Sequence, residues 1–262
     1  MGILNVTPDS FSDGGMCLTR EAVSARIEDM IASGADIIDV GGESSRPFSE
    51  PVPLDEELRR VIPPIKAIRA DHSIPVSIDT VKAAVAQEAI AAGADIVNDI
   101  SGLRFDPLMV DVIREAGVPV VIMHMKGIPE DMQADPTYDD VMAEIGDFFR
   151  ERTNWAENKG IDRDKIILDP GIGFGKTVTH NLTILKNLTM FRSLGYPILV
   201  GHSRKSFIGT VLDLDVDERD AVTAAISAMC VMNGVSILRV HDVKMTVQAL
   251  RMAEAILNVH HV

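Results

Sequence analysis

Eight short apolar runs alternating with longer amphipathic stretches predict an α/β chain folded as a single-domain (β/α)8 TIM barrel. Two further observations point the same way. Glycine recurs just before an apolar run, in Gly34-Ala35-Asp36, Gly93-Ala94-Asp95, Gly117-Val118-Pro119, Gly195-Tyr196-Pro197 and Gly234-Val235-Ser236. That is where a helix ends on a left-handed residue before entering a buried strand. The length of 262 residues is also close to the ~250 typical of this barrel. An open doubly wound sheet would want a glycine-rich turn after its first strand, and Asn5-Val6-Thr7-Pro8 stands there instead. No linker-like change of composition divides the chain, so residues 1–262 are read as one domain.

The first strand is predicted over residues 2–6, followed by a loop. A helix over 19–33 keeps Ala22, Ile27, Met30 and Ile31 on one face and stops at Gly34. The second strand, 35–40, leads into a Gly/Ser/Pro loop over 41–53 and a helix over 54–70. Strands at 75–78 and 94–98 are each followed by a helix, ending near 92 and 116. The fifth strand, 118–123, precedes a loop to about 136 and a long helix to about 160. The sixth, 165–168, opens the glycine-rich stretch 169–176 and a helix reaching 194. After the seventh, 197–200, come a short helix, an acidic break over 213–220 and an apolar helix to 233. The eighth strand, 235–240, and a helix over 243–257 close the chain.

Composition narrows the function. A formal charge of −14 argues against general nucleic-acid binding, yet a local basic cluster can still hold a small anion. Cys17 and Cys230 have no metal or disulfide spacing, which fits a cytoplasmic protein. No leader-like segment and no run of ~18 apolar residues is present, so no membrane partner is expected.

In a barrel of parallel strands the carboxyl ends share one face, and that face carries the chemistry. Read in turn, the strand ends present Asn5, Asp39 to Glu43, Asp79, Asn98 with Asp99, Met123 with His124, Asp169, Ser203 to Lys205, and Arg239 with His241. Acids and amides thus gather after strands three, four and six, and cations after seven and eight. The division suits a ligand with a donor-rich polar ring at one end and an anion at the other. Asp79 or Asp169 can accept two parallel N–H bonds from an aminopyrimidine-like edge, and Asn98 suits a mixed edge. Arg239 and His241, two apart on a strand, point to one side and form a phosphate-type pocket with the last helix. Singly, each has a plain structural reading: Asp79 as a helix cap, Asn98-Asp99 as turn chemistry, His124 as a satisfied core histidine. Their convergence favours function. Gly171-Ile172-Gly173-Phe174-Gly175-Lys176-Thr177 is not a Walker loop, because Pro170 occupies a required glycine position. Gly201-His202-Ser203-Arg204-Lys205 is not a nucleophile elbow, because Lys205 replaces the final glycine.

These residues resemble the signatures of the dihydropteroate synthase family over essentially the whole chain. The first is Asn5-Val6-Thr7-Pro8-Asp9-Ser10-Phe11-Ser12-Asp13-Gly14-Gly15, and the second ends Glu43-Ser44-Ser45-Arg46-Pro47. Ser77-Ile78-Asp79-Thr80, Asn98-Asp99-Ile100, Met123-His124, the stretch 169–175, Ser203-Arg204-Lys205-Ser206 and Arg239-Val240-His241 follow in family order.

The resemblance implies a folate-pathway transferase, a sulfonamide target, that joins p-aminobenzoate to (7,8-dihydropterin-6-yl)methyl diphosphate by an SN1-like displacement. It implies a pterin held by Asp79, Asn98, Asp169 and Lys205 against Met123, and Mg2+ held by Asn5 on a diphosphate that also meets Arg239 and His241. Asp79, Asp169, Lys205, Arg239 and His241 would carry the catalysis. Phe11, Asp13, Arg46 and Pro47 would close over the reactive carbon, with Ser45 beside them; Phe174, Lys205 and Ser206 would line the aminobenzoate site. Lys205 then joins two substrates, Arg204 braces the mouth and His202 adds a titratable group beside the anion.

Some positions depart from the family pattern. Ser45 stands in place of threonine, Phe48 in place of glycine, and the N-terminal hairpin that precedes the first strand in the family is not in this sequence. A methyltetrahydrofolate:corrinoid methyltransferase would share the acids but not need the Ser45-Arg46-Pro47 or Ser203-Arg204-Lys205 segments. A non-catalytic pterin-binding paralogue would be expected to have lost residues that are all present here. Residues 221–235, beginning Ala221-Val222, are apolar around most of the helix, so this helix is covered either by the last helix or by a partner; the resemblance implies a homodimer through the late helices.

Overall fold

The computed structural model describes residues 1–6, 20–44 and 50–259. Eight parallel strands form the barrel: β1 (Gly2–Asn5), β2 (Ile38–Gly41), β3 (Val76–Asp79), β4 (Ile96–Asp99), β5 (Val120–Met123), β6 (Ile166–Asp169), β7 (Leu199–Val200) and β8 (Ile237–Leu238). β1 to β6 pair in sequence order, and β7 pairs with β8. Two single bridges, Leu168 with Ile198 and Gly2 with Val240, join the two sheets at both seams and close the ring. Backbone hydrogen bonds of 2.9 Å from Leu168 N to the Pro197 carbonyl and 3.0 Å from Ile3 N to the Val240 carbonyl mark these closures. The predicted barrel is therefore observed, with shorter seventh and eighth strands than the sequence suggested.

The surrounding helices are α1 (Arg20–Ala32), α2 (Leu54–Asp71), α3 (Ala83–Ala91), α4 (Met109–Ala116), α5 (Val141–Asn158), α6 (Val178–Lys186), α7 (Thr189–Arg192), α8 (Ser206–Leu212), α9 (Asp220–Met232) and α10 (Val243–Leu257). Asp140 caps α5 by accepting from Met142 N and Ala143 N at 2.9 and 3.0 Å. The single helix expected up to residue 194 is two, because Asn187 ends α6. Its side-chain amide donates to the Thr183 carbonyl at 2.8 Å, offering the backbone a local alternative to another helical turn. Among the described residues no helix is long and apolar enough to cross a membrane.

The side-chain period of two positions the site. Ile96, Val121, Ile167 and Leu199 form a small cluster of their own, with Met1, Ile37 and Ile237 packed against it. These residues fill the barrel floor. Two residues further along each strand stand Asn98, Met123, Asp169, Gly201, Asp39 and Arg239, so the same inward side changes from aliphatic to polar toward the carboxyl ends. The intervening residues, including Val40, Ile78, Val97, Ile122 and Leu168, belong to the main core shared with the helices. The outward side of the strands is thus mostly apolar, while the inward side carries Asp39, Ser77, Asp79, Asn98 and Asp169.

Candidate active site

Pairing places Asn5, Gly41, Asp79 and Asn98 in register across β1 to β4, and Met123 beside Asp169 across β5 and β6. Five of the sequence-predicted residues, Asn5, Asp79, Asn98, Met123 and Asp169, thus stand at the carboxyl ends of neighbouring strands. Phe11, Asp13, Ser45, Arg46 and Pro47 lie outside the described residues, as does Phe48.

On one side of the mouth Arg239 turns inward. Its Nε donates to Asp39 Oδ2 at 2.6 Å and its Nη2 to Asp79 Oδ2 at 2.7 Å. Burial works against the charged guanidinium, but Asp39 and Asp79 more than offset it and hold its pKa above the ordinary arginine range. Burial also raises the Asp79 pKa to about 7; Arg239 opposes this, while Asp39 and Glu57 add to it. Asn98 Nδ2 donates to the same Asp39 oxygen at 3.3 Å.

Asp39 is wholly buried, with Oδ1 lacking a partner. The strand-end pattern alone gives Asp39 no role, although alternation from Ile37 puts it on the inward side. The expectation that Arg239 and His241 share one phosphate pocket is corrected here. Two carboxylates draw Arg239 into the barrel, whereas His241 Nδ1 lies 2.9 Å from Ser203 Oγ. His241 lines a polar recess with Arg26, Arg204 and Lys244 at the start of α10.

The other side is built by the glycine-rich loop. A Cβ on Gly171 would stand 2.0 Å from the His124 carbonyl, and one on Gly175 2.1 Å from that of Lys126; both have φ above +60°. Glycine is required there for backbone approach rather than for a phosphate cradle. Lys176 confirms this, because its Nζ is buried against His124 Nδ1 (3.0 Å), the Phe174 carbonyl (2.9 Å) and the His124 carbonyl (3.3 Å). Burial, with the charge of Lys176, pushes the His124 pKa down to about 2, so His124 is a neutral acceptor. This is the satisfied core histidine of the plain reading.

The loop presents Asp169, whose Oδ1 accepts from Gly171 N at 2.7 Å, and whose pKa burial raises. Phe174 joins Met123, Met125 and Met132 in a separate apolar cluster. Lys205 Nζ donates to the Ile172 carbonyl and lies 4.2 Å from the centre of the Phe174 ring. Ser206, the first residue of α8, is exposed beside it. His202 does not face the anion: it is fully buried, and its Nε2 lies 3.0 Å from the Thr223 carbonyl and 3.1 Å from Ser227 Oγ on α9.

Burial lowers the Lys205 pKa to about 7, with Asp169 and Asp79 opposing and Arg239 reinforcing the shift. The ammonium is the donor form, so affinity for a bound acceptor should fall as pH rises through about 7. A calorimetric titration of pterin at several pH values checks this. Lys205→Arg, charged throughout, should bind more weakly but with a flatter profile.

Sequence reasoning also missed a buried network beside the mouth. Glu57 is 1% exposed; its Oε1 accepts from Thr80 Oγ1 at 2.6 Å, and Lys82 Nζ donates to both Glu57 and Glu43. These residues border a cavity of about 310 Å3 that reaches Asp79. The signal was the Thr80–Lys82 pair after β3, which alone reads as an ordinary helix start.

For the expected Mg2+, the described residues contain no group of three or more His, Cys, Asp or Glu side chains able to hold a metal. Asn5 Oδ1 and Asp79 Oδ2 do lie together, 3.6 and 3.7 Å from where a Cβ on Gly41 would stand. Arg239 already occupies Asp79 Oδ2, so Asn5 Oδ1 is the better-placed hard oxygen, and it fits an ion that takes most of its ligands from substrate phosphates and water, as magnesium does.

Comparison with known proteins gives the same direction. The profile of a pterin binding enzyme family matches residues 1–241. The dihydropteroate synthase of Bacillus subtilis is 47% identical over 264 residues, covering 100% of this chain and 90% of that protein. The crystal structure of Yersinia pestis dihydropteroate synthase with a sulfonamide drug complex superposes with a TM-score of 0.95 at 41% identity, covering 98% of this chain and 94% of the other. Xanthomonas albilineans dihydropteroate synthase in complex with 7,8-dihydropteroate gives a TM-score of 0.89 at 42% identity, covering 99% and 93%.

Proposed function

The chain belongs to the pterin-binding enzyme family, and from that premise we propose that it is a dihydropteroate synthase. It condenses p-aminobenzoate with (7,8-dihydropterin-6-yl)methyl diphosphate, giving 7,8-dihydropteroate and diphosphate. The observation that carries this reading is the inward row of Asp39, Asp79, Asn98 and Asp169 above an aliphatic floor, facing Lys205 and Phe174 across the mouth.

In this reading the pterin enters the barrel edge-on. Asp169 accepts the ring's amidine-like N–H groups, Asn98 meets the neighbouring edge, Lys205 donates to the ring oxygen, and Met123 packs against the face. Loss of diphosphate leaves an electron-poor methylene conjugated to the ring. Asp79 lies near enough to stabilise that developing positive charge, and being preorganised it does so without rearrangement. Arg239 is a cation for the departing anion, which it can reach only by loosening its hold on Asp39 or Asp79, and the His241 ring can offer a hydrogen bond from the recess at the start of α10. Mg2+, held by Asn5 and the diphosphate oxygens, would supply further neutralisation of the leaving group. The arylamine of p-aminobenzoate attacks from the side of Phe174, Lys205 and Ser206. Cys230, a buried free thiol, suits a reducing cytoplasm. Incubation with the pterin diphosphate, labelled p-aminobenzoate and Mg2+ should give labelled dihydropteroate; no incorporation of label would contradict the reading.

A homodimer through α9 and α10 belongs to the same proposal. α9 packs against α10 with Thr223, Ala224, Ser227 and Cys230 buried, yet Met229, Met232, Met252, Ile256 and Leu257 remain 51–64% exposed. Such a patch on two packed helices is costly to leave in water and is continuous enough to meet its own copy. Light scattering at micromolar concentration should return twice the chain mass, and a monomer would contradict it.

A further inference from the structure

Arg204 has φ of +57°, a left-handed conformation unfavourable for a side chain with a Cβ. Contacts to α9 and to Arg219 just before it hold it there. Its Nε and Nη2 donate to the two carboxylate oxygens of Asp220 at 2.7 and 2.6 Å, its backbone N–H donates to Thr223 Oγ1 at 3.2 Å, and its carbonyl accepts from Arg219 Nη1 at 3.1 Å. His202, one residue before Ser203, is tied to the same helix through Thr223 and Ser227. The residues flanking Arg204 leave the bend toward different parts of the mouth. Ser203 Oγ meets both Nδ1 and the backbone N–H of His241, at 2.9 and 3.1 Å, while Lys205 reaches the Ile172 carbonyl and the Phe174 ring. A relaxed backbone at residue 204 would turn at least one of them away.

We propose that Arg204, gripped by Asp220 of α9, is a positioning residue that fixes Lys205 over the pterin pocket and Ser203 against His241, so that α9 sets the affinity for the pterin diphosphate. The inference rests on the synthase reading for the identity of the ligand. Asp220 does not touch the mouth itself, which makes it the cleaner place to intervene. The bidentate grip also explains the choice of arginine, since lysine would keep the charge but lose the fork.

The test compares full-length wild type, Asp220→Asn, Arg204→Lys and the exchanged pair Arg204→Asp with Asp220→Arg, measuring KM for the pterin diphosphate, kcat and melting temperature. Each single variant should raise that KM by about tenfold, because KM does not depend on how much of the enzyme is folded. The exchanged pair should recover most of the loss, since aspartate tolerates the left-handed region. KM unchanged in the single variants, with only kcat reduced in proportion to folded protein, would overturn the inference. If Asp220→Asn does not fold, Arg204→Lys decides. A wild-type protein that binds pterin but forms no dihydropteroate would count against the synthase reading instead. The Kd for pterin then decides the inference, which requires about tenfold weaker binding in the variants and fails if binding is unchanged.

Discussion

Asp169→Ala should lower kcat/KM for the pterin diphosphate by about 10²–10⁴-fold. That range follows from losing two charge-assisted hydrogen bonds of about 1.5–3 kcal/mol each, at about 1.4 kcal/mol per tenfold. Asp169 lies at the end of β6, 5% exposed, with one oxygen bonded to Gly171 N. Alanine would remove that internal bond as well, so part of the loss would be a looser glycine-rich loop. Asp169→Asn separates the two effects. Its amide oxygen can still accept from Gly171 N, keeping the loop, but its NH2 opposes the donor edge of the ring. Steady-state kinetics should therefore show Asn nearly as defective as Ala, while the melting temperature falls only for Ala. A pterin Kd close to wild type in either variant would remove Asp169 from its proposed role.

Arg239→Met should have the largest effect on stability. Removing the guanidinium leaves Asp39 and Asp79 buried together without their shared cation, and breaking such a pair costs about 3–5 kcal/mol. Asp79 already has a pKa of about 7, above the ordinary carboxylate value, so the folded state holds its proton more tightly than the unfolded chain. Lowering pH from about 7 toward the unfolded value then favours the folded form, and more so without Arg239 opposing protonation. The stability gap between variant and wild type should accordingly narrow as pH falls. Urea unfolding at a series of pH values measures it, and a gap that widened toward acid would contradict the pairing. Activity should be lost with stability, because Arg239 is also the inward cation closest to the acids that face the pterin.

Much of this arrangement was legible before any coordinates. Glycine before five of the eight apolar runs marks strand starts, and the carboxyl-end rule collects Asn5, Asp79, Asn98, Asp169, Lys205 and Arg239 as candidates for one mouth. Local pattern is informative in a barrel because every strand repeats the same relation between its end and the ligand. What escaped depended on contacts between distant residues. Arg239 and Asp39 are 200 positions apart, and no spacing rule shows that one neutralises the other. His202 reads from sequence as a titratable group beside the anion, yet its partners come from α9, about twenty residues later. The split between α6 and α7 turned on the Asn187 side chain reaching back to Thr183, a choice that apolar periodicity does not register.

The central claim is that one mouth holds both substrates and joins them while diphosphate leaves. The direct measurement is the ratio of diphosphate released to dihydropteroate formed, with Mg2+ and the pterin diphosphate present and p-aminobenzoate varied. A synthase of this design predicts equal amounts of the two products, both dependent on p-aminobenzoate. Diphosphate release that continues at the same rate without p-aminobenzoate, with no dihydropteroate formed when it is added, would contradict it.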